Sequence, residues 1–267
     1  MNKKTYPSDL TDHQWHCIKR HIPPAKPGGR PRSTSMRDVC NAIFYVARTG
    51  CAWRYLPDSF PPWPTVYAYF RGLRLAGVFE RLNATLRRTL RRLAGRDAQP
   101  SAAILDSQSV KTTWVGGEER GYDGGKMISG RKRHILVDAM GLLLAVVVHS
   151  AATPDRAGAK RVLGCLKTTF SRLRLIWADG AYTGELGDWV AALRQTRKVR
   201  LEVVNKLEGQ KGFVVLPRRW IVERTFGWLM MQRRLVRDYE ILPEMSEAFV
   251  QAAMIRIMLN RLDRLAS

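Results

Sequence analysis

Apolar residues recur with two different periods along the chain, and the change of period divides it. Up to about residue 94 they return every three or four positions, the spacing of helices with one buried face. Thr11-Asp12-His13-Gln14 is a capping-box pattern, and Trp15, Ile18 and Ile22 follow at helical spacing. The next helix is predicted over Met36–Thr49, with Val39, Ile43, Val46 and Ala47 inward and Gly50 as its stop. Another opens after Pro64 and turns Val66, Phe70 and Leu73 inward, which leaves Thr65, Tyr67, Arg71 and Arg74 facing out. Over Val78–Leu93 the stripe is Leu82, Leu86, Leu90 and Leu93, and Arg81, Arg87, Arg88, Arg91 and Arg92 cover the rest as a solvated face. Residues 23–35 are too rich in Pro and Gly for a helix and form an extended basic arm with Arg30 and Arg32. Such an arm suits a phosphate backbone or minor groove, or is a solvated connector.

Beyond residue 100 short apolar runs replace the helical stripe. Strands are predicted at 102–106, 131–138, 142–149, 173–179, 199–204 and 213–216. The second and third join through a tight turn at Ala139-Met140-Gly141. Helices are predicted at 154–170, 183–195, from Pro217 onward and at 245–262. The glycines between 116 and 125 match no nucleotide-binding loop and are taken as a loop. A hairpin followed by helical crossovers makes a mixed α/β sheet covered by helices. The division is a helical domain at 1–94, a linker at 95–100 and an α/β domain at 101–267. A short polar, basic helix entered through a tight turn gives the first part a helix-turn-helix character suited to a major groove.

Charge narrows the partner. The 267 residues carry 45 Lys+Arg against 23 Asp+Glu, a net +22, and both halves share the excess. Dispersed arginine at this level is the footprint of a polyanion, nucleic acid before an anionic membrane. No run reaches the ~20 apolar residues of a spanning helix, and no signal peptide is visible. The four cysteines (Cys17, Cys40, Cys51, Cys165) are scattered, with no zinc or redox spacing, and fit reduced thiols of a cytoplasmic protein.

Against that charge three acidic residues stand out. Asp106 and Asp179 each end an apolar strand, where sites form in open sheets. Glu223 lies on a helix face away from the Ile221, Val222, Thr225, Trp228 and Leu229 stripe, one turn after Arg219. Taken singly, each has an ordinary use as a turn aspartate, a helix cap or an i,i+4 ion pair. Together they form a carboxylate cluster that needs a hard cation, Mg2+ or Mn2+. Two such ions can serve phosphodiester chemistry. Lys111 and Arg219 flank the acidic residues by sequence and are the best candidate phosphate ligands, and Arg131, Lys132 and Arg133 form a basic strand entrance. His134 and His149 fit packed or hydrogen-bonded roles rather than metal ligation.

The stretches Asp106-Ser107-Gln108-Ser109-Val110-Lys111-Thr112, Trp177-Ala178-Asp179-Gly180-Ala181-Tyr182 and Arg219-Trp220-Ile221-Val222-Glu223-Arg224-Thr225-Phe226 resemble the insertion-sequence DDE transposases of the insertion-sequence-five group. Gly130-Arg131-Lys132-Arg133-His134 and Arg233-Arg234-Leu235 extend the likeness, as does Gly28-Gly29-Arg30-Pro31-Arg32 near the start. The resemblance implies a ribonuclease-H-like catalytic domain with Asp106, Asp179 and Glu223 as the metal-binding triad. It also implies double-stranded DNA as partner: binding of terminal inverted repeats, nicking at the element ends and transfer of the 3′-hydroxyl into target DNA. Related transposases place a Tyr three residues before the Arg and a Lys seven residues after the Glu; here these are Leu216 and Met230. DNA contacts from this helix then fall to Arg224, Arg233 or Arg234. The alternatives are an inactive relic or repressor that holds element ends, and a nuclease of the same fold. Holding two DNA ends implies at least a homodimer.

Overall fold

The computed structural model describes residues 5–25, 27–28, 31–114, 117–165, 170–193, 199–204 and 219–266. Arg30, Leu216, Pro217 and the strand expected at 213–216 lie outside them. Four helices come first: α1 (Asp12–Ile18), α2 (Met36–Thr49), α3 (Trp63–Leu75) and α4 (Val78–Leu93). Local signals set their ends. Thr11 and Gln14 close the capping box on α1. Ser35 caps α2, and Gly50 ends it in the left-handed region at φ 73°. On α4, Leu82, Leu86 and Leu90 are buried, but Leu93 is exposed. Arg87 and Arg91 are buried too, against the expectation of a solvated face. Arg87 donates to the Leu143 carbonyl at 2.7 Å, and Arg91 pairs with buried Asp138 at 2.6 Å.

The sheet follows: β1 (Ala102–Lys111), β2 (Gly121–Asp123), β3 (Ile128–Asp138), β4 (Leu143–Ser150), β5 (Leu175–Ala178) and β6 (Arg200–Val203). β4, β3 and β1 are successive antiparallel neighbours; β1, β5 and β6 are parallel, and short β2 pairs with β3. β1 runs five residues past the expected end at Asp106, and β2 lies in what the sequence marks as a loop. Both gain their backbone bonds from β3, a partner that apolar patterning in the 107–123 stretch does not reveal. Gly130 is required where these strands cross closely, since a Cβ there would stand 2.0 Å from the Val110 carbonyl oxygen.

Helices cover both faces. α5 (Asp155–Gly164) and α6 (Leu186–Leu193) pack on the Leu105 and Leu136 side, with Val162, Ile176 and Val190. On the other side Ile104, Ile135 and Val137 meet α7 (Trp220–Met230) and α8 (Pro243–Ala266). That second core also takes in Ile18, Ile43, Phe70 and Leu86, so the N-terminal helices wrap α8 and share its core. Among the described residues no helix is long and apolar enough to cross a membrane.

Candidate active site

Sheet register brings the two aspartates together. β1 and β5 pair in parallel with Ile104 opposite Trp177. Two residues further on each strand stand Asp106 and Asp179, level and on the same face by the period-2 rule. Ile104 shows which face this is, because it packs in the core beneath α7 and α8. α7 lies over β1 and buries Val222, Thr225, Phe226 and Leu229, which leaves Glu223 exposed at its first turn.

Arg219 joins the set. Its Nη2 lies 3.5 Å from Asp179 Oδ2 and 3.5 Å from Glu223 Oε1. The pair with Glu223 is the i,i+4 contact expected from sequence; the contact with Asp179 spans forty residues. The other Asp179 oxygen, Oδ1, accepts the Ala181 N–H at 2.9 Å and holds the turn after β5. Asp106 Oδ1 accepts the Ser107 N–H at 2.7 Å. Burial, with Asp179 adding to it, pushes the Asp106 carboxyl up to about 6; the Ser107 N–H and the cations of Arg219 and Lys126 pull the other way. Lys126 is a neighbour that the sequence did not single out. It sits in the turn between β2 and β3, and its Nζ donates to the Ser107 carbonyl at 3.1 Å.

As the side chains stand, no three described His, Cys, Asp or Glu residues form a set able to hold one metal ion. Arg219 lies between two of the carboxylates, where its guanidinium supplies the positive charge they share. The donor chemistry still fits a hard divalent cation. Asp106 and Asp179 feel each other's charge, Glu223 joins them through Arg219, all these donors are oxygen, and a raised Asp106 is an acid that a nearby cation would ionise.

Several expected DNA contacts are instead internal. Arg131 is fully buried: it donates to the carbonyls of Glu118, Glu240 and Ile241 and lies 3.3 Å from Asp238. Arg133 is buried on the Leu235 carbonyl at 2.6 Å. Lys132 is buried between Asp155 at 3.0 Å and Asp123 at 3.5 Å. Arg234 is buried on Glu240 at 2.7 Å. A basic triplet looks exposed in sequence because its acceptors lie up to 110 residues away. Lys111 is exposed but five residues along β1 from Asp106, about 17 Å, and on the opposite face, so it does not flank the carboxylates.

The remaining predicted contacts stay nearer the surface. Arg32 and Arg233 are exposed. On α3, Arg71 is exposed and Thr65 half-buried; Tyr67 packs edge-on against Trp53, and Arg74 lies 4.0 Å from Glu244. The Arg224 guanidinium sits between two indoles, 4.1 Å from the Trp220 ring and 4.5 Å from that of Trp228.

The opposite face of β1 holds a cluster that the sequence did not show. Ser107 donates to Asp155 at 3.0 Å and Ser109 to Asp123 at 2.5 Å. His134 Nδ1 meets His149 Nε2 at 2.7 Å, and His149 Nδ1 lies 2.9 Å from the Ser150 carbonyl. A carbonyl only accepts, so His149 is protonated at Nδ1 and His134 donates from its own Nδ1. Burial, then His149, pushes His134 down to about 3. Gly158 makes the room, since a Cβ there would stand 2.4 Å from the His134 ring.

A mixed sheet with two level aspartates and a glutamate on the helix above defines an acidic-site protein of the ribonuclease-H-like class. Comparison with known proteins makes this specific. Residues 97–258 match the model of the transposase DDE domain, and residues 10–83 match a model described as "Putative transposase of IS4/5 family". The chain belongs to the DDE-domain transposases of insertion sequences. A "Putative transposase for insertion sequence element IS402" of Burkholderia cepacia is 30% identical over 146 residues, 51% of this chain and 65% of that protein. "Uncharacterized protein y4sN" of Sinorhizobium fredii is 29% identical over 119 residues, 44% and 88% of the two chains. No solved structure matches.

Proposed function

We propose that this transposase binds the terminal inverted repeats of an insertion sequence, nicks the DNA at the element ends and joins the freed 3′-hydroxyl to target DNA. The observation that carries this reading is the level placement of Asp106 and Asp179 beneath Glu223, in a chain of net +22. Asp106, Asp179 and Glu223 would hold Mg2+ or Mn2+, two ions for each site. Such ions activate the attacking oxygen and stabilise the leaving one. The protein's own part is to fix the carboxylates. β1 and β5 set the two aspartates, the Ser107 and Ala181 N–H groups hold one oxygen of each, and α7 brings Glu223 over them. Arg219 is the candidate phosphate ligand nearest the reaction: its guanidinium stands between Asp179 and Glu223, and a metal held by those carboxylates would leave it to the scissile strand. Two ends must be joined in one event, so the working form on DNA is at least a homodimer.

The test is strand transfer. A labelled duplex ending in the element's repeat, with a free 3′-hydroxyl, is incubated with a supercoiled plasmid and Mg2+. Joined product establishes the reading. Repeat-specific binding without joining in either Mg2+ or Mn2+ would favour the inactive, end-binding alternative.

A further inference from the structure

α7 leads away from the carboxylates into a basic groove. The groove measures about 570 Å3, and its lining includes Arg48, Arg256, Arg261, Arg264, Trp228 and Met231. Its described lining has four arginines and no Asp or Glu. Arg48 donates to the Met231 carbonyl at 2.7 Å, and Arg261 to the Met140 carbonyl at 3.4 Å. Arg256 donates to Gln14 at 2.6 Å and to the carbonyls of Pro7 and Asp9. These acceptors are neutral. They orient these guanidiniums without cancelling their charge; of five donors each, Arg48 and Arg261 use one in these bonds and Arg256 three. Asp9 and Asp263 act on Arg256, and neither lines the groove. Arg261 is held below its usual range by burial and by the cations of Arg224 and Arg264, with Asp138 opposing. Such crowding persists where an anion from outside completes the charge balance.

A ladder of stacked rings and cations connects this groove to the site. Arg224 lies between Trp220 and Trp228, and Arg261 covers Trp228 at 4.2 Å. On α7, Trp220 and Arg224 stand next to Glu223, and Trp228 opens into the groove. Stacking on an indole fixes a guanidinium and keeps its charge. A positive track therefore runs from the carboxylate edge into the groove, roughly 12 Å along the helix from Glu223 to Met231.

We propose that the groove is a second DNA site that grips the phosphate backbone of the duplex flanking the scissile bond, with the Trp220–Arg224–Trp228–Arg261 ladder as its bridge to the active site. The inference rests on the reading of the chain as a DNA-cutting enzyme. Charge complementarity selects the occupant. Four cations spaced along an open groove match a repeating phosphate, and the indole and thioether between them cover sugar. The site is independent of Leu216 and Met230, the two positions where expected strand contacts are missing.

The test compares two doubly reversed variants with the same change in net charge. Arg48→Glu/Arg264→Glu alters the groove. Arg161→Glu/Arg172→Glu alters exposed arginines on the α5 side of the sheet. Binding of a labelled mixed-sequence duplex is followed by anisotropy in EDTA across a salt series. The groove variant should bind at least about tenfold more weakly and lose about 1.8 from its log–log salt slope, two phosphates' worth. The control should move less than half as far. Equal behaviour of the two variants overturns the groove while wild-type strand transfer leaves the function standing. A wild type that binds no duplex overturns both. If the double variant does not fold, Arg264→Glu alone should lose about 0.9 of slope, and an unchanged slope there also overturns the groove.

Discussion

Strand β1 carries a polar cluster on each face, and the two differ in how completely their charges are matched. On the Ser107 face, Lys132 stands between Asp155 and Asp123, each serine donates to one of those carboxylates, and the histidine pair is fixed by the Ser150 carbonyl. Most of these contacts are 2.5 to 3.1 Å. On the Asp106 face, Asp179 and Glu223 share one guanidinium at 3.5 Å, and Asp106, outside that contact, is pushed up to about 6. The better-matched cluster is a fastening: it ties β1, β2, β3 and the start of α5 together, with His134 Nε2 3.8 Å from Asp155 and without a hydrogen-bond partner. The unsatisfied one keeps oxygen ligands in reserve for something that arrives from outside. Buried polar networks stabilise when complete; a deficit of counter-charge marks where a ligand binds.

Four changes would break or sharpen that contrast. The largest effect belongs to Glu223→Gln, which removes charge from the incomplete cluster. Nicking of an end-bearing duplex should fall at least about a thousandfold, while binding in EDTA stays within a few-fold of wild type. Next comes the fastening. Asp155→Ala leaves Lys132 with one carboxylate, Asp123, beside the Thr153 carbonyl and leaves Ser107 without its acceptor, and should cost about 2 kcal/mol in urea unfolding. Third is the pH response of that same face. His134 is pushed down to about 3, so the unfolded chain takes up a proton that the folded one refuses. Stability from this group is full above its ordinary pKa near 6.5 and drains as pH falls toward about 3. Between about pH 7.5 and about pH 5, wild type should lose on the order of 2 kcal/mol more than His134→Leu. Equal slopes in urea melts would contradict the neutral, buried assignment. The smallest change in fold is expected for Arg219→Ala, whose half-exposed pairs stabilise by less than about 1 kcal/mol. Its strand transfer should nonetheless drop by tenfold or more; an unaltered transfer rate would remove Arg219 from the phosphate path.

What the sequence made legible follows the range of each interaction. α1, α2 and the Leu82–Leu86–Leu90 stripe of α4 appear where caps and periodicity place them, because those signals lie within one or two turns. The fate of Arg87, Arg91, Arg131 and Arg133 was not legible, since carbonyls and carboxylates from distant strands and loops accept their bonds. The same limit applies to β1. Ser107-Gln108-Ser109 has no apolar signal of its own and becomes strand because β3 lies beside it. The carboxylates could be picked out as residues, but their common face depends on the parallel register of β1 and β5. Asp155 stood unmarked at the start of α5, its pairing with Lys132 set only by the hairpin that delivers the lysine.

The most direct test of the central claim is nicking of a labelled duplex carrying the element's own terminal repeat, by wild type and Asp179→Ala, in Mg2+, in Mn2+ and in EDTA. The account predicts cleavage at the repeat boundary by wild type in either metal, none in EDTA, and none by the variant under any condition. Metal-independent cleavage, or cleavage that survives the loss of Asp179, would contradict it.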